Sequence, residues 1–119
     1  MYIILILKPS LIRRHYGRIP ETSDAPADAY ELCSFAIDPF DYFDLIDKDF
    51  VCPVDELCGA LLDVGDVDYL DARQCELLVP WLAERLKRPC AYPLNEFYPK
   101  LLNFAQRAAK LGTGVVVEL

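Results

Sequence analysis

Carboxylates are the most abundant side chains in this sequence that could carry out chemistry or bind a charged ligand, and most of them lie in its middle. Between Glu21 and Glu76 there are sixteen acidic residues and two basic ones, Lys48 and Arg73, which gives this block a net charge of −14. The twenty residues before it carry +4, and the residues after it carry +3. Carboxylates at this density can bind a metal ion, exchange protons, or attract a cationic partner through their summed field.

Calcium binding can be tested first because its loop motif has a fixed spacing. An EF-hand loop has oxygen ligands at its first, third and fifth positions, Gly at the sixth and Glu at the twelfth. Counted from Asp66, the fifth position is Leu70, and counted from Asp47, the twelfth is Cys58. Neither register fits, and the cysteines and the single His15 lack the paired spacing of a zinc site. We therefore expect no metal and no cofactor.

Catalytic side chains other than carboxylates are scarce. His15 is the one imidazole, no serine lies in a Gly-x-Ser-x-Gly elbow, and no spacing selects two carboxylates for acid–base work. The basic segment with Arg13, Arg14, His15 and Arg18 is suited to an anionic substrate or ligand, or to pairing with the acidic block of the same molecule. We expect a protein that is not an enzyme. A small enzyme or anion-binding domain built on this segment is the alternative.

The densest acidic stretch runs from Asp38 to Phe50. Asp38 followed by Pro39 predicts the start of a helix. Carboxylates at a spacing of three then alternate with apolar side chains that we expect to anchor the helix: Asp41, Asp44, Asp47, Phe40, Phe43 and Ile46. Like charges at this spacing destabilise an isolated helix by roughly a few tenths of a kcal/mol per pair. Two interpretations stay open, a solvated helix face and a surface kept acidic because a basic partner docks there.

The elements that position these residues can be predicted from hydrophobic periodicity. Residues 2–7 are continuously apolar and are stopped by Pro9, and the β-branched run of residues 114–119 mirrors them. We therefore expect the two ends of the chain to form strands of one sheet. Residues 30–37 fit either a third strand or a helical turn.

Two segments with helical periodicity follow the acidic stretch. The first begins at Pro53, and Gly65 is expected to mark a turn between it and the second. The second begins at Asp71, where Gln74 completes a capping box, and Pro80 is expected to kink or restart it. Each presents one apolar stripe to the core.

A third helix is amphipathic from Leu94 to Leu111 and is closed by Gly112. A chain of 119 residues with 54% hydrophobic content suits one core. We therefore predict an α+β fold, a small single domain spanning residues 1–119. In it, the N- and C-terminal strands share a sheet that packs against three to four helices.

The cysteines and the apolar runs indicate the expected environment. Five cysteines are an odd number without paired spacing, which favours buried reduced thiols over disulfides. The apolar run at the N-terminus is too short for a signal segment, and no stretch approaches the roughly 20 apolar residues of a membrane span. We expect a cytoplasmic protein without membrane contact. Its net charge of −7 disfavours a nucleic-acid partner.

Binding of a basic protein is the function that this charge layout favours. We expect an immunity protein or antitoxin, for example one that covers the Lys and Arg residues with which a nuclease toxin holds phosphates. An acidic adaptor subunit of a larger assembly is a second alternative. The predicted partner-binding set combines carboxylates without a visible structural task, Asp41, which fits either this role or the start of its helix, and two tyrosines: Asp41, Asp44, Asp47, Asp49, Asp63, Asp66, Asp68, Tyr42 and Tyr69. The exposed members among Tyr42, Phe43, Tyr69 and Tyr30 are expected to supply the desolvated centre of the contact.

Overall fold

The computed structural model describes residues 1–13 and 19–119, apart from the side chain of Arg13. Three members of the basic segment, Arg14, His15 and Arg18, lie outside the described residues. The anion-binding alternative that depends on this segment therefore stays a prediction.

An antiparallel sheet of four strands forms the centre of the described structure. The strands are β1 (Tyr2–Ile6), β2 (Tyr30–Ser34), β3 (Val67–Leu70) and β4 (Val115–Glu118). Their order across the sheet is β2–β1–β4–β3. The two ends of the chain pair side by side, as predicted, with Ile3 opposite Val117. The sequence allowed either a strand or a helical turn for residues 30–37, and Tyr30–Ser34 form a strand.

Helices cover the sheet, and the predicted α+β class is confirmed. They are α1 (Pro9–Arg13), α2 (Phe43–Ile46), α3 (Cys52–Cys58), α4 (Ala72–Arg85) and α5 (Leu94–Leu111). A 3₁₀ turn, Pro39–Tyr42, precedes α2, and a π-helical stretch, Asp47–Val51, joins α2 to α3. Residues 39–58 thus form one helical segment. Pro53 lies in the first turn of α3 but does not begin that segment, which corrects the predicted start.

Apolar side chains pack on both faces of the sheet. Successive residues of a strand point to opposite faces, so Ile3 and Leu5 of β1 join the larger core beneath α3, α4 and α5. Ile4 and Ile6 face the other way and pack with Leu11 of α1. Coverage of both faces explains why β1 is continuously apolar.

The ends of the two long helices follow the predicted chemistry. Each side chain of the pair Asp71 and Gln74 accepts the other residue's backbone N–H at 2.9 Å, so the capping box is confirmed. Helix α5 ends at Gly112 with a φ of 67°, a conformation that favours glycine. Helix α4 continues through Pro80 without restarting.

The turn at Gly65 joins α3 to a strand, whereas the sequence predicted a helix there. Gly65 has a φ of 90°, and its N–H donates to the carbonyl of Leu119 at 2.7 Å. Strand β3 follows at once and pairs with β4. β3 has only four residues, and its one polar residue, Asp68, leaves neither a long apolar run nor a repeated alternation from which a strand could be predicted.

Candidate functional site

The helical segment 39–58 carries the densest acidic stretch, and its geometry decides which side chains reach solvent. Asp38 caps the segment by accepting the N–H of Phe40 at 3.0 Å. Side chains three residues apart rotate by about 60° per step in an α-helix, so they do not stay in line. Of the predicted anchors only Ile46 is buried, whereas Phe40 is 62% and Phe43 is 42% exposed. The expectation that these two phenylalanines anchor the segment was wrong.

Phe40 and Phe43 border a shallow depression that also contains carboxylates. Its volume is about 340 Å³. The residues that line it are Phe40, Asp41, Tyr42, Phe43, Asp44 and Leu45. No basic side chain in the described part of the chain forms an ion pair with Asp41 or Asp44. Carboxylates beside exposed rings can bind a cationic side chain, because the carboxylates pair with its charge and the ring faces attract it through cation–π contacts.

Two contacts extend this depression to neighbouring loops. The rings of Tyr42 and Tyr92 meet edge to face, with centroids 5.6 Å apart. The ring of Phe40 lies over Gly65, where an added Cβ would come within 2.7 Å of it. Asp63 and Asp66 are exposed and flank Gly65 in the chain, so this close approach places their chain segment next to Phe40. We define the acidic–aromatic surface as Phe40, Tyr42, Phe43, Tyr92, Asp41, Asp44, Asp63 and Asp66.

Asp49 points inward, contrary to the expectation that it has no structural task. Its carboxylate oxygens accept from Nε and Nη2 of Arg85, each at 3.1 Å, and Oδ2 also accepts from the hydroxyl of Tyr98 at 2.6 Å. Arg85 donates further to the carbonyls of Arg88 and Pro89. Asp49 thereby links the helical segment to α4 and α5, and it is not part of the acidic–aromatic surface.

Burial and the hydrogen bond between them shift the pKa values of Asp49 and of Tyr98. Burial by itself raises the pKa of the Asp49 carboxyl, but the hydrogen bonds from Arg85 and Tyr98 and the charge of Arg85 outweigh it and lower the pKa below its usual range. Burial and the hydrogen bond to Asp49 raise the pKa of the Tyr98 hydroxyl. The ionised carboxylate and the protonated hydroxyl therefore both persist at neutral pH.

The π-helical stretch that contains Asp49 is explained by Pro53, which follows it in the chain. Pro53 lacks the N–H that would bond to the carbonyl of Asp49 four residues earlier. The hydroxyl of Tyr98 lies 3.1 Å from that carbonyl and occupies the vacant position. The N–H of Cys52 bonds to the carbonyl of Asp47, five residues back, which is the π-helical pattern.

Asp68 lies on β3 and is half-buried. Burial is the main effect that raises the pKa of Asp68, followed by the charges of Asp66, Asp55 and Asp63; a backbone hydrogen bond from Asp63 opposes them. Its Oδ2 is buried and has no hydrogen-bond partner among the described residues. The ionised form of Asp68 is therefore held in an unfavourable environment.

We expect Asp68→Asn to increase the free energy of unfolding at pH 7 by about 1 kcal/mol, because it removes a charge from this carboxylate cluster. A raised folded-state pKa means that the folded protein binds this proton more tightly than the unfolded chain does, so wild-type stability declines as pH rises through that pKa. The advantage of the variant should therefore shrink at acid pH. Urea denaturation at pH 7 and at pH 4 measures it, and an equal advantage at both values would contradict the assignment.

Two further members of the predicted partner-binding set lie apart from the acidic–aromatic surface. Asp47 is half-buried, and its Oδ2 lies 3.8 Å from Sγ of Cys52. Tyr69 follows Asp68 on β3 and so faces the opposite side of the sheet. There it lines a groove of about 570 Å³ together with Thr113, and burial raises the pKa of its hydroxyl to about 12.

The cysteines and the metal-binding side chains show no assembled chemistry within the described ranges. All five cysteines are free. Cys58 and Cys75 are buried, and burial raises the pKa of Cys75 to about 12. Cys52 is exposed, so the expectation of buried thiols holds only in part. Across residues 1–13 and 19–119, no group of three or more His, Cys, Asp or Glu is placed to hold a metal ion.

None of the described helices combines the length and the hydropathy that a membrane crossing requires.

Sequence reasoning assigned Phe40 a wrong place and Tyr92 no place in this surface, whereas it named Phe43 both as an anchor of the helix and among the aromatic residues for the centre of the contact. No sequence signal indicated the exposure of Phe40, because it lies in a 3₁₀ turn rather than in the α-helix that the spacing predicted. Tyr92 had no signal, since it reaches the surface only through its contact with Tyr42.

No family model matches the chain, and no curated protein or solved structure matches it either.

Proposed function

We propose that this protein is a non-enzymatic binding protein that docks a basic protein partner on its acidic–aromatic surface. The observation that supports the proposal most directly is the exposure of Phe40 and Phe43 beside the carboxylates of Asp41 and Asp44, with which no described basic residue forms an ion pair. Exposed rings that become buried supply the energetic centre of an interface. The carboxylates around them attract a cationic surface and orient it.

A protein partner suits the surface better than a small cation or a nucleic acid. The carboxylates are spread over two chain segments that meet where Phe40 lies over Gly65, so they match several Lys and Arg side chains at once. The charge of −14 across residues 21–76 repels phosphate groups. It also accelerates association with a basic protein by long-range attraction.

Neutralisation of a toxin is the specific role that we propose. A nuclease toxin must present Lys and Arg to its substrate phosphates, and a rigid array of carboxylates can occupy the same residues. Rapid capture is useful against a toxin that acts inside the cell that makes it, and opposite charge provides that speed. The proposal places the protein in the cytoplasm, a compartment that keeps thiols reduced.

The test is binding to the product of the adjacent gene and to a panel of basic nucleases, measured by isothermal titration calorimetry at low and high salt. The variant carries Asp41→Asn, Asp44→Asn and Asp63→Asn. Its dissociation constant is expected to rise about thirtyfold at low salt, or about 2 kcal/mol for three charges, and the salt dependence should weaken.

A matched control removes the same charge from exposed carboxylates on other elements, with Asp24→Asn, Glu76→Gln and Glu96→Gln. We expect it to bind nearly as tightly as the wild type. If both triple variants lose affinity equally, only the net charge matters and the surface is not the docking site. If no basic protein binds to the wild type, the proposal fails as a whole.

A further inference from the structure

The outer edge of β2 presents main-chain groups that no described residue bonds. In an antiparallel pair, residues alternate between bonded and non-bonded pairs. The N–H of Leu7 donates to the carbonyl of Ala29, and the N–H of Phe35 donates to the carbonyl of Met1, each at 2.9 Å. The odd-numbered residues of β2 therefore bond β1. The residues whose N–H and C=O groups point away from β1 are Tyr30, Leu32 and Ser34.

A second copy of β2 fits this edge in the antiparallel direction. With a two-fold axis at Leu32, Leu32 faces Leu32 of the second copy, and Tyr30 faces Ser34. All of these are residues with outward-pointing main-chain groups, so each of these facing pairs is a bonded one. We propose that two copies of this protein associate through β2 and extend the sheet across the axis.

The side chain at the proposed axis suits such an interface. Leu32 is 53% exposed, although its partner in β1, Ile4, belongs to the apolar layer on the same face. Directly opposite residues in a bonded antiparallel pair have Cα atoms about 5.5 Å apart. The two Leu32 side chains would therefore cover each other, which removes apolar surface from water at the centre of the contact.

Charges on the other face of β2 complement one another across the same axis. Glu31 forms an ion pair with Arg107 of α5. A groove of about 490 Å³ separates β2 from α5, and Cys33 and Lys100 line it. The two-fold pairing places Glu31 of the second copy opposite Cys33, on the side of the groove where Lys100 lies. No carboxylate within the described ranges forms an ion pair with Lys100. The Glu31 of each copy, already paired with its own Arg107, therefore adds a second cationic partner in Lys100 of the other copy.

The proposal does not depend on the proposed function, because no residue of the acidic–aromatic surface takes part in it. Its first test is sedimentation equilibrium of the full chain over a wide concentration range. Wild type is expected to shift reversibly from monomer to dimer, whereas Leu32→Lys and Leu32→Pro should remain monomeric. Proline at this edge position removes an outward N–H and none of the bonds to β1. Circular dichroism checks that both variants are folded.

Reversal of the charge at Lys100 supplies a second, independent variant. Lys100→Glu is expected to raise the dimer dissociation constant at least tenfold, because it sets a carboxylate against Glu31 of the second copy. The control is Arg73→Glu, an equal change of charge on α4, next to β3 at the opposite edge of the sheet. It should leave the dimer unchanged.

Cross-linking tests the register directly. In a Cys52→Ser background, Leu32→Cys should form a symmetric disulfide between the two introduced thiols under mild oxidation, because the two Cα atoms at the axis lie within disulfide range. Leu61→Cys, at a position 88% exposed, should not enrich a symmetric dimer. A wild type that stays monomeric at every concentration, or a dimer that survives Leu32→Lys, overturns the proposal. A monomer that takes up an extended strand of another protein also overturns it.

Discussion

Replacing Asp49 by alanine is expected to lower the free energy of unfolding by about 3 kcal/mol. The substitution removes the two carboxylate acceptors of Arg85, whose side chain is only 9% exposed, and leaves that cation without a counter-charge. It also removes the carboxylate acceptor of the Tyr98 hydroxyl, which then keeps only the backbone carbonyl of residue 49. The side chain of Asp49 is itself 26% exposed, so water screens part of the loss. Urea denaturation at pH 7 measures the effect.

The control is Asp47→Ala, two residues away in the same π-helical stretch. It should change stability by no more than about 0.5 kcal/mol, because among the described residues the Asp47 carboxylate has only the thiol of Cys52 as a side-chain hydrogen-bond partner. The double variant Asp49→Leu with Arg85→Met should regain most of the stability, since it replaces both charges by apolar side chains. Equal stability of Asp49→Ala and wild type would contradict the inward role of Asp49.

The pH dependence of the Asp49 effect follows from the sign of its pKa shift. The folded-state pKa lies below the ordinary value of 3.8, so the folded protein releases this proton more readily than the unfolded chain. The resulting stability is fully present above the ordinary pKa and is lost as pH falls through the lowered one. The difference between wild type and Asp49→Ala should therefore be constant near neutrality and shrink in acid.

Gly114→Ala is expected to cost about 3 kcal/mol of stability, the upper range for overpacking a core. A Cβ at this position would collide with the backbone carbonyl of Leu70 and with the hydroxyl of Tyr69. The carbonyl belongs to the neighbouring strand and cannot rotate away. Gly114 also accepts the N–H of Ile6 at 3.1 Å, which restrains its backbone from the other side.

The matched control is Gly112→Ala, two residues earlier. Gly112 has a φ of 67° but no atom within 4 Å of an added Cβ, so the cost is only conformational and amounts to about 1 kcal/mol. Thermal and urea denaturation of the two variants separate crowding from backbone strain. If Gly114→Ala is no less stable than Gly112→Ala, the close approach to Leu70 and Tyr69 is not limiting.

Local chemistry explains the parts of the fold that could be predicted. The capping box joins Asp71 to Gln74, three residues apart, so both partners can be recognised in one short stretch. Gly112 closes α5 for an equally local reason. The apolar runs at the two ends predicted β1 and β4, because a strand covered on both faces needs no alternation.

Distant contacts explain what could not be predicted of the candidate site. Asp49 looks like one more member of an acidic row, but its partners Arg85 and Tyr98 lie thirty-six and forty-nine residues further along the chain. Phe40 looks like an anchor, but the 3₁₀ turn and short α2 rotate it to solvent over Gly65. Neither outcome can be inferred from neighbours within one helical turn.

By itself, the sequence determined the α+β class, the paired terminal strands, the caps of α4 and α5, and the concentration of carboxylates between residues 21 and 76. Only the tertiary structure decided which of those carboxylates stabilise the interior and which are left exposed beside aromatic rings. It also created β3 and the open edge of β2. The physical reason is range: propensity and capping depend on residues within a turn of one another, whereas burial, ion pairing and strand pairing depend on residues that folding alone brings together.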